Sequence, residues 1–321
     1  MIVLIGSGVV GARIARMAAI ETGPPPRGMA AGAFSVVDNS RSISLNTGSP
    51  DPRRVVILAT GGSHLPMAVE ALTAGHSVVS VVDSPSEVAE LLDLADLAQA
   101  SGATLVVGAA MSPGCSGLLA RHLVDSMYRC DEIHIAAHAT AGPACARQHH
   151  RSLAGKASTF FDGDWVEQPA GTGRELCWFP EPVGAHDCYR AEMADPILLH
   201  SVFPGVRRIS ARMSATRRDR LTSRLPMLRN PHDEGGIGAL RVEARGVNEA
   251  GERVTSIAGI AEFVGAAAGA TALAFARAIS RGELPVGAVV AGSSDLPTVG
   301  LLNAIAAFGI RLQEFSGVAY Q

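Results

Sequence analysis

Aromatic residues make up only 4% of the 321-residue chain, including two Trp and three Tyr. Charge is also sparse: 18% of residues are charged, and they nearly cancel to a net −3. No strong field is present to draw in nucleic acid or an anionic membrane, so neither is expected as a partner. The five cysteines, Cys115, Cys130, Cys145, Cys177 and Cys188, form no C-x-x-C pair. That removes the zinc-ribbon and thioredoxin motifs, and no metal is expected. An odd count with no framework fits a reducing compartment. The most apolar run, "FVGAAAGATALAFA" from Phe263 to Ala276, is bounded by Glu262 and Arg277. It falls short of the ~20 residues that a membrane span needs and reads as a buried helix. Gly265 and Gly269 remove side chains one turn apart, so this helix is expected to lie close against a neighbour. The opening "MIVLIG" has no basic n-region and no small-residue cleavage site. No signal peptide is expected, and the chain reads as soluble and cytoplasmic.

Apolar residues are plentiful, at 47%, and the length suggests about two domains. Residues 1–126 alternate short Val/Ile/Leu runs with amphipathic ones: "MIVLI", "AFSVVD", "RRVVILAT", "HSVVSVVD" and "ATLVVGAA" are strands with helices between them. Continuous apolar strands separated by helices predict a doubly wound parallel sheet covered on both faces, an α/β class. Between Asp38 and Arg53 the chain is too short for a regular crossover, so the sheet is expected to be trimmed there. Over 127–256 alternating strands such as "EIHIAAHAT", "RRISARMS" and "GALRVEARGV" lie among long loops. This predicts a second α+β domain for substrate binding or dimerisation, with a hairpin turn at Asn248–Gly251. Residues 257–321 return to Ala-rich helices, expected to pack back on the first domain.

The segment "VLIGSGVVGARIA" places Gly6, Gly8 and Gly11 in G-x-G-x-x-G spacing, after a strand and at the start of a helix. Gly6 permits the tight turn, Gly8 lets a pyrophosphate approach the backbone, and Gly11 lets the helix pack on the strand. With Ser7, Val9 and Val10 they form a dinucleotide cradle at a helix N-terminus, whose free N–H groups and dipole favour phosphate. Asp38 ends the second strand, where an acid would bind the ribose hydroxyls of NAD. Asn39, Ser40 and Arg41 follow, and Arg41 would instead suit the 2′-phosphate of NADP; both cofactors stay open. Thr60, Gly61 and Gly62 end the third strand, where ligands of such sheets lie. His64 is the first titratable group there; it is a candidate for catalysis or, with Ser63, for capping the next helix.

The fifth strand runs into "GAAMSPGCSGLLARHL", and a later segment reads "FPEPVG". With the N-terminal fingerprint, these resemble the saccharopine dehydrogenase-like NAD(P)-binding oxidoreductases. The resemblance implies a Rossmann domain, an α+β domain inserted before C-terminal helices, and NAD(P)-dependent chemistry, commonly at a carbon–nitrogen bond of an amino acid. It leaves the substrate open.

The scarce aromatics gather in "ELCWFPEPVGAHDCYR", Glu175 to Arg190. Pro180 and Pro182 would make this loop rigid, and Trp178 and Phe179 would exclude water from a cleft. His186, Asp187 and Tyr189 are catalytic candidates, and Trp178 and Glu181 are substrate-binding ones. The alternative is a subunit contact, where aromatics also collect. Arg147, beside His149 and His150, and Arg174 are further substrate-binding candidates. The adjacent histidines point in different directions on a helix and suit no metal. Cys115 is either an activated thiol at a helix start or a small buried one. The arginines from Arg217 to Arg224 are either a solvated helix face or the source of one substrate ligand. The reading is an NAD(P)-dependent oxidoreductase of an amino-acid-derived or keto/imino acid, expected as a homodimer. Its rivals are a non-catalytic dinucleotide-binding sensor or scaffold, and a semialdehyde dehydrogenase.

Overall fold

The computed structural model describes residues 1–22, 34–37, 53–227 and 234–316. The first part of the chain runs β1 (Ile2–Ile5), α1 (Val9–Thr22), β2 (Phe34–Val37), β3 (Val55–Leu58), α2 (Leu65–Thr73), β4 (Ser77–Ser80), α3 (Pro85–Leu92), α4 (Ala95–Ala100), β5 (Thr104–Val107) and α5 (Cys115–Asp125). The strand residues of β1 and β3 are all buried. Successive side chains point to opposite faces, so each strand feeds two cores. Leu4 and Ile57 pack with Ile14 on one face. Val3 and Val56 pack with Leu72 and Leu91 on the other. A run of branched apolar residues is what burial on both faces requires.

The chain then forms β6 (Arg129–His138), α6 (Pro143–Ser152), β7 (Lys156–Phe161), β8 (Asp164–Pro169), β9 (Glu175–Trp178), β10 (Ala185–Arg190), α7 (Asp195–Val202), β11 (Arg208–Ser214), α8 (Arg217–Thr222), β12 (Ile237–Val247) and β13 (Arg253–Phe263). It closes with α9 (Val264–Ser280), β14 (Gly287–Val290), α10 (Thr298–Ala307) and β15 (Leu312–Ser316). A Pro stands in the first turn of α2, α3, α6 and α7, where its missing N–H costs nothing. The turn joining β12 and β13 closes with Gly251 N–H donating to Asn248 O at 3.0 Å.

Two sheets result. The first has the order β2-β1-β3-β4-β5-β14, and every pair is parallel. The second runs β15-β13-β12-β6-β11-β10-β9, with β7 and β8 joined to β11. It is mixed: β6 and β11 pair in parallel, and the other pairs are antiparallel. In the first sheet β1 lies between β2 and β3, so the strand order reverses there, and this point is where such sheets open a ligand crevice.

The C-terminal part serves both sheets. The boundary expected at Ser256 falls inside β13, which continues the second sheet. Helix α9 lies against α1: a Cβ on Gly265 would meet Val9 Cγ1 at 2.8 Å, and one on Gly269 would meet Ile14 N at 3.3 Å. The small-residue turn of α9 is therefore a close helix–helix contact. β14 then extends the parallel sheet, and β15 extends the other.

Candidate active site

The fingerprint glycines divide into two kinds. A Cβ on Gly6, at φ +130°, would lie 2.2 Å from Ala59 O, and one on Gly11 would lie 2.1 Å from Gly6 O. These two glycines let β1, its turn and α1 pack against each other and against the end of β3. Gly8 is different: a Cβ there meets nothing within 4 Å. Its missing side chain faces open space. That space is a cleft of ≈ 570 Å³ between the two sheets, walled by Gly8, Val9 and Val10 from the first turn and by Thr60, Gly61 and Gly62 after β3. Thr60 Oγ1 is buried without a hydrogen-bond partner among the described residues. A buried hydroxyl left so is costly unless a ligand satisfies it. An open backbone at a helix N-terminus and an orphaned hydroxyl fit a dinucleotide's phosphates. Asp38, Asn39, Ser40 and Arg41 lie outside the described residues.

His64 lines the cleft but is 2% exposed. Its Nδ1 meets Ser80 Oγ at 2.7 Å, and its Nε2 meets Thr60 O at 3.2 Å. The ring does not cap α2, although His64 occupies the cap position. Burial lowers its pKa, and the ring binds the ends of β3 and β4 together.

A buried carboxyl of the cleft wall stands outside the residues that the sequence singles out. Asp83 follows β4 and stands in the cleft wall. Burial pushes its carboxyl from 3.8 to about 6, with smaller contributions from Glu87 and Asp195. The rule that ligands gather at carboxyl ends of parallel strands applies to "SVVSVVD" as it does to "LATGGSH". That rule was the available signal. Asp195, 1% exposed, also faces the cleft. It accepts from Ser112 Oγ at 2.8 Å and Ser116 Oγ at 2.5 Å. Burial raises its pKa, against those two hydroxyls. The Pro-Gly turn thus has a structural meaning: Ser112 and Ser116 tie the end of β5 to the start of α7. Gly114 permits the turn at φ +126°, where a Cβ would strike Ala110 O at 2.4 Å. Cys115 is a small core residue, its thiol pushed up to about 12 by burial.

The second domain closes the cleft with α6 and with Met213 of β11. Arg147, Gln148 and Arg151 of α6 line it. Arg151 donates to Gln148 Oε1 at 2.8 Å. His149 also lines it, but its Nε2 meets Ser214 O at 3.1 Å and burial lowers its pKa.

The aromatic segment is placed elsewhere. Trp178, Glu181, His186, Asp187 and Tyr189 belong to the β9–β10 hairpin and its turn, outside the cleft lining, and so does Arg174. The reason is register. Cys188, Tyr189 and Arg190 pair with β11, and the turn packs on the second sheet, where a Cβ on Gly259 would meet Pro180 Cγ at 3.0 Å. The chain reaches the cleft only after β10, at Glu192, Met193, Ala194 and Asp195. Within the hairpin, Arg174 binds Asp187 at 2.9 Å. His186 stacks on His138 at 4.1 Å between ring centroids. Phe179 closes a small core with Cys177, Cys188, Ala136 and Ala239. Tyr189 is buried beneath the Arg220 guanidinium, 4.0 Å from its ring. Glu181 is exposed, as is Trp178. No residue of α8 lines the cleft.

No protein-family model matches the chain. No curated protein matches it either. Solved structures do. Apo saccharopine dehydrogenase (L-Glu forming) from Saccharomyces cerevisiae aligns over 98% of this chain and 99% of its own, at TM-score 0.65 and 12% identity. A mutant meso-dapdh with DAP from Clostridium tetani aligns over 94% and 95%, at TM-score 0.50 and 12% identity. The chain has the two-domain fold of these dehydrogenases, a parallel Rossmann-like sheet joined to a second mixed sheet.

Proposed function

We propose that the chain is an NAD(P)-dependent oxidoreductase acting on an amino-acid-derived, keto or imino acid. The observation that carries this is Gly8, whose open face meets a cleft where its two partner glycines are packed shut. Gly8, Val9 and Val10 would hold the pyrophosphate, with Thr60 Oγ1 supplying a waiting donor. When bound, the nicotinamide supplies hydride chemistry.

The rest belongs to this chain's side chains. Asp83 gives or takes the proton at the substrate's heteroatom, because its carboxyl titrates near working pH. Arg147 and Arg151 bind the substrate carboxylate. Glu192 offers a carboxylate to an amino group. Met111, Met213 and Val264 give the cleft its apolar wall and exclude water. The fold shared with saccharopine dehydrogenase supports an amino-acid-like substrate. On this reading the hairpin candidates His186, Asp187 and Tyr189 stabilise the second domain rather than touch substrate.

Calorimetric titration with NAD, NADH, NADP and NADPH tests the cofactor. Failure of all four to bind would sink the reading. Amino and keto acids are then screened for turnover with whichever cofactor binds. Tight cofactor binding with no turnover across that screen would favour a sensor.

A further inference from the structure

The outer face of the second sheet carries a site that the cleft does not explain. Along β11, Ile209, Ala211 and Met213 face the core, while Arg208, Ser210 and Arg212 face the other way. Register lines them up with their neighbours. Arg212 pairs with Ala136, which pairs with Arg241; one step along, Ser210 pairs with His134, which pairs with Glu243. A small residue between two arginines leaves a hole, and a cavity of ≈ 70 Å³ stands there. One water needs only ~10–15 Å³ of such space, so the hole admits something larger.

Its charge is unbalanced. Arg208, Arg212, Arg241 and Arg245 line it, against Glu175 and Glu243. Arg212 is paired with Glu175 at 2.8 Å, and Glu243 is shared between Arg241 and Arg245. Glu132, just outside the lining, reaches Arg245 at 3.5 Å. Arg208 has no carboxylate partner among the described residues, and its Nε is buried without any hydrogen-bond partner. Arg190 stands close by, and burial together with Arg212 and Arg208 lowers its pKa. Including Arg190 and Glu132, the excess is two positive charges. Like charges so crowded repel unless an anion joins them, and guanidinium forks match tetrahedral oxyanions.

We infer that this cavity binds a phosphate group, as the free ion or as the end of a phosphate ester. The inference does not depend on the chemistry of the cleft. Its test must exclude phosphate held at the cofactor turn, so it is run on the full chain carrying Gly8→Val as well as on the unaltered protein. Inorganic phosphate and glycerol 3-phosphate are titrated calorimetrically in chloride buffer. Binding of either supports the site, and the tighter of the two names its source. Arg208→Met strands no carboxylate, and Arg212→Gln leaves the half-exposed Glu175 and the Gly173 carbonyl without that guanidinium. Each should weaken phosphate at least about tenfold, the worth of one charge-assisted hydrogen bond, while NAD(H) affinity of the corresponding Gly8 proteins stays unchanged. Unaltered affinity in both arginine variants overturns the proposal. A second readout needs no arginine variant: phosphate, but not chloride at equal ionic strength, should raise the melting temperature of the unaltered and Gly8→Val proteins alike. No rise in either overturns it too.

Discussion

At the residue scale the three fingerprint glycines make separable demands. Gly8→Val places a side chain in open space, so the fold should keep its melting temperature while dinucleotide affinity is lost. Gly11→Val drives a Cβ into Gly6 O, 2.1 Å away, and should destabilise the protein before any ligand is added. Thermal melts with and without cofactor distinguish the two; equal stability loss in both variants would contradict the division. Asp83 gives a second test. Its carboxyl is held at about 6 against an ordinary 3.8, so the folded chain binds this proton more tightly than the unfolded one. The stability it lends is fully present below about 3.8 and is lost as pH rises through about 6. Asp83→Asn should therefore melt above the unaltered protein at neutral pH, and the gap should close in acid. If Asp83 is the proton-transfer group, turnover should also fall by ~10²–10⁴-fold. A melting difference that does not vary with pH would remove the premise. The glycines were legible in the sequence because spacing and context fix their roles. Asp83 was not singled out because a lone acid after a strand has no pattern of its own; only the sheet's geometry and its burial distinguish it.

At the element scale, strands buried on both faces announce themselves as continuous apolar runs, which is why β1, β3, β4 and β5 were legible as parallel. Pairing between distant segments leaves no such mark. Nothing local in "EIHIAAHAT" and "RRISARMS" says that β6 and β11 lie side by side in parallel. The place of the hairpin was hidden for the same reason. Its composition suits a cleft, but the folded hairpin lays Phe179 over Ala136 and Ala239 of the second sheet and His186 on His138. What reaches the cleft is the next element, α7, through Asp195. That carboxylate anchors two hydroxyls across the domains. Asp195→Ala leaves Ser112 and Ser116 without their acceptor and should cost ~1–3 kcal/mol for each buried donor left unsatisfied. Asp195→Asn keeps an acceptor oxygen and should cost less. Urea unfolding measures both; an alanine variant as stable as the parent would mean that the link between the β5 turn and α7 holds nothing.

At the scale of the whole molecule, the chain's path ties the two sheets together. It leaves the first sheet after α5, builds most of the second, returns through α9 to add β14, and crosses again to place β15 beside β13. Helix α9 packs on α1 through Gly265 and Gly269, and Arg13 of α1 binds Glu234 at 2.6 Å, just ahead of β12. Apolar residues of both sheets, such as Leu4 and Ile57 of the first and Ile133 and Val242 of the second, belong to one buried cluster. Domains that share a core and exchange strands have no independent reservoir of stability, so they should unfold together. Both Trp residues, Trp165 in β8 and Trp178 in β9, report on the second sheet, whereas cofactor release reports on the first. In urea, the fluorescence and cofactor-release transitions should coincide, with far-UV circular dichroism following the same curve. Two separated midpoints would show that the second sheet melts alone. The tail would then be an accessory to one domain rather than the strap between two, and cutting the chain ahead of β14 would spare the second sheet.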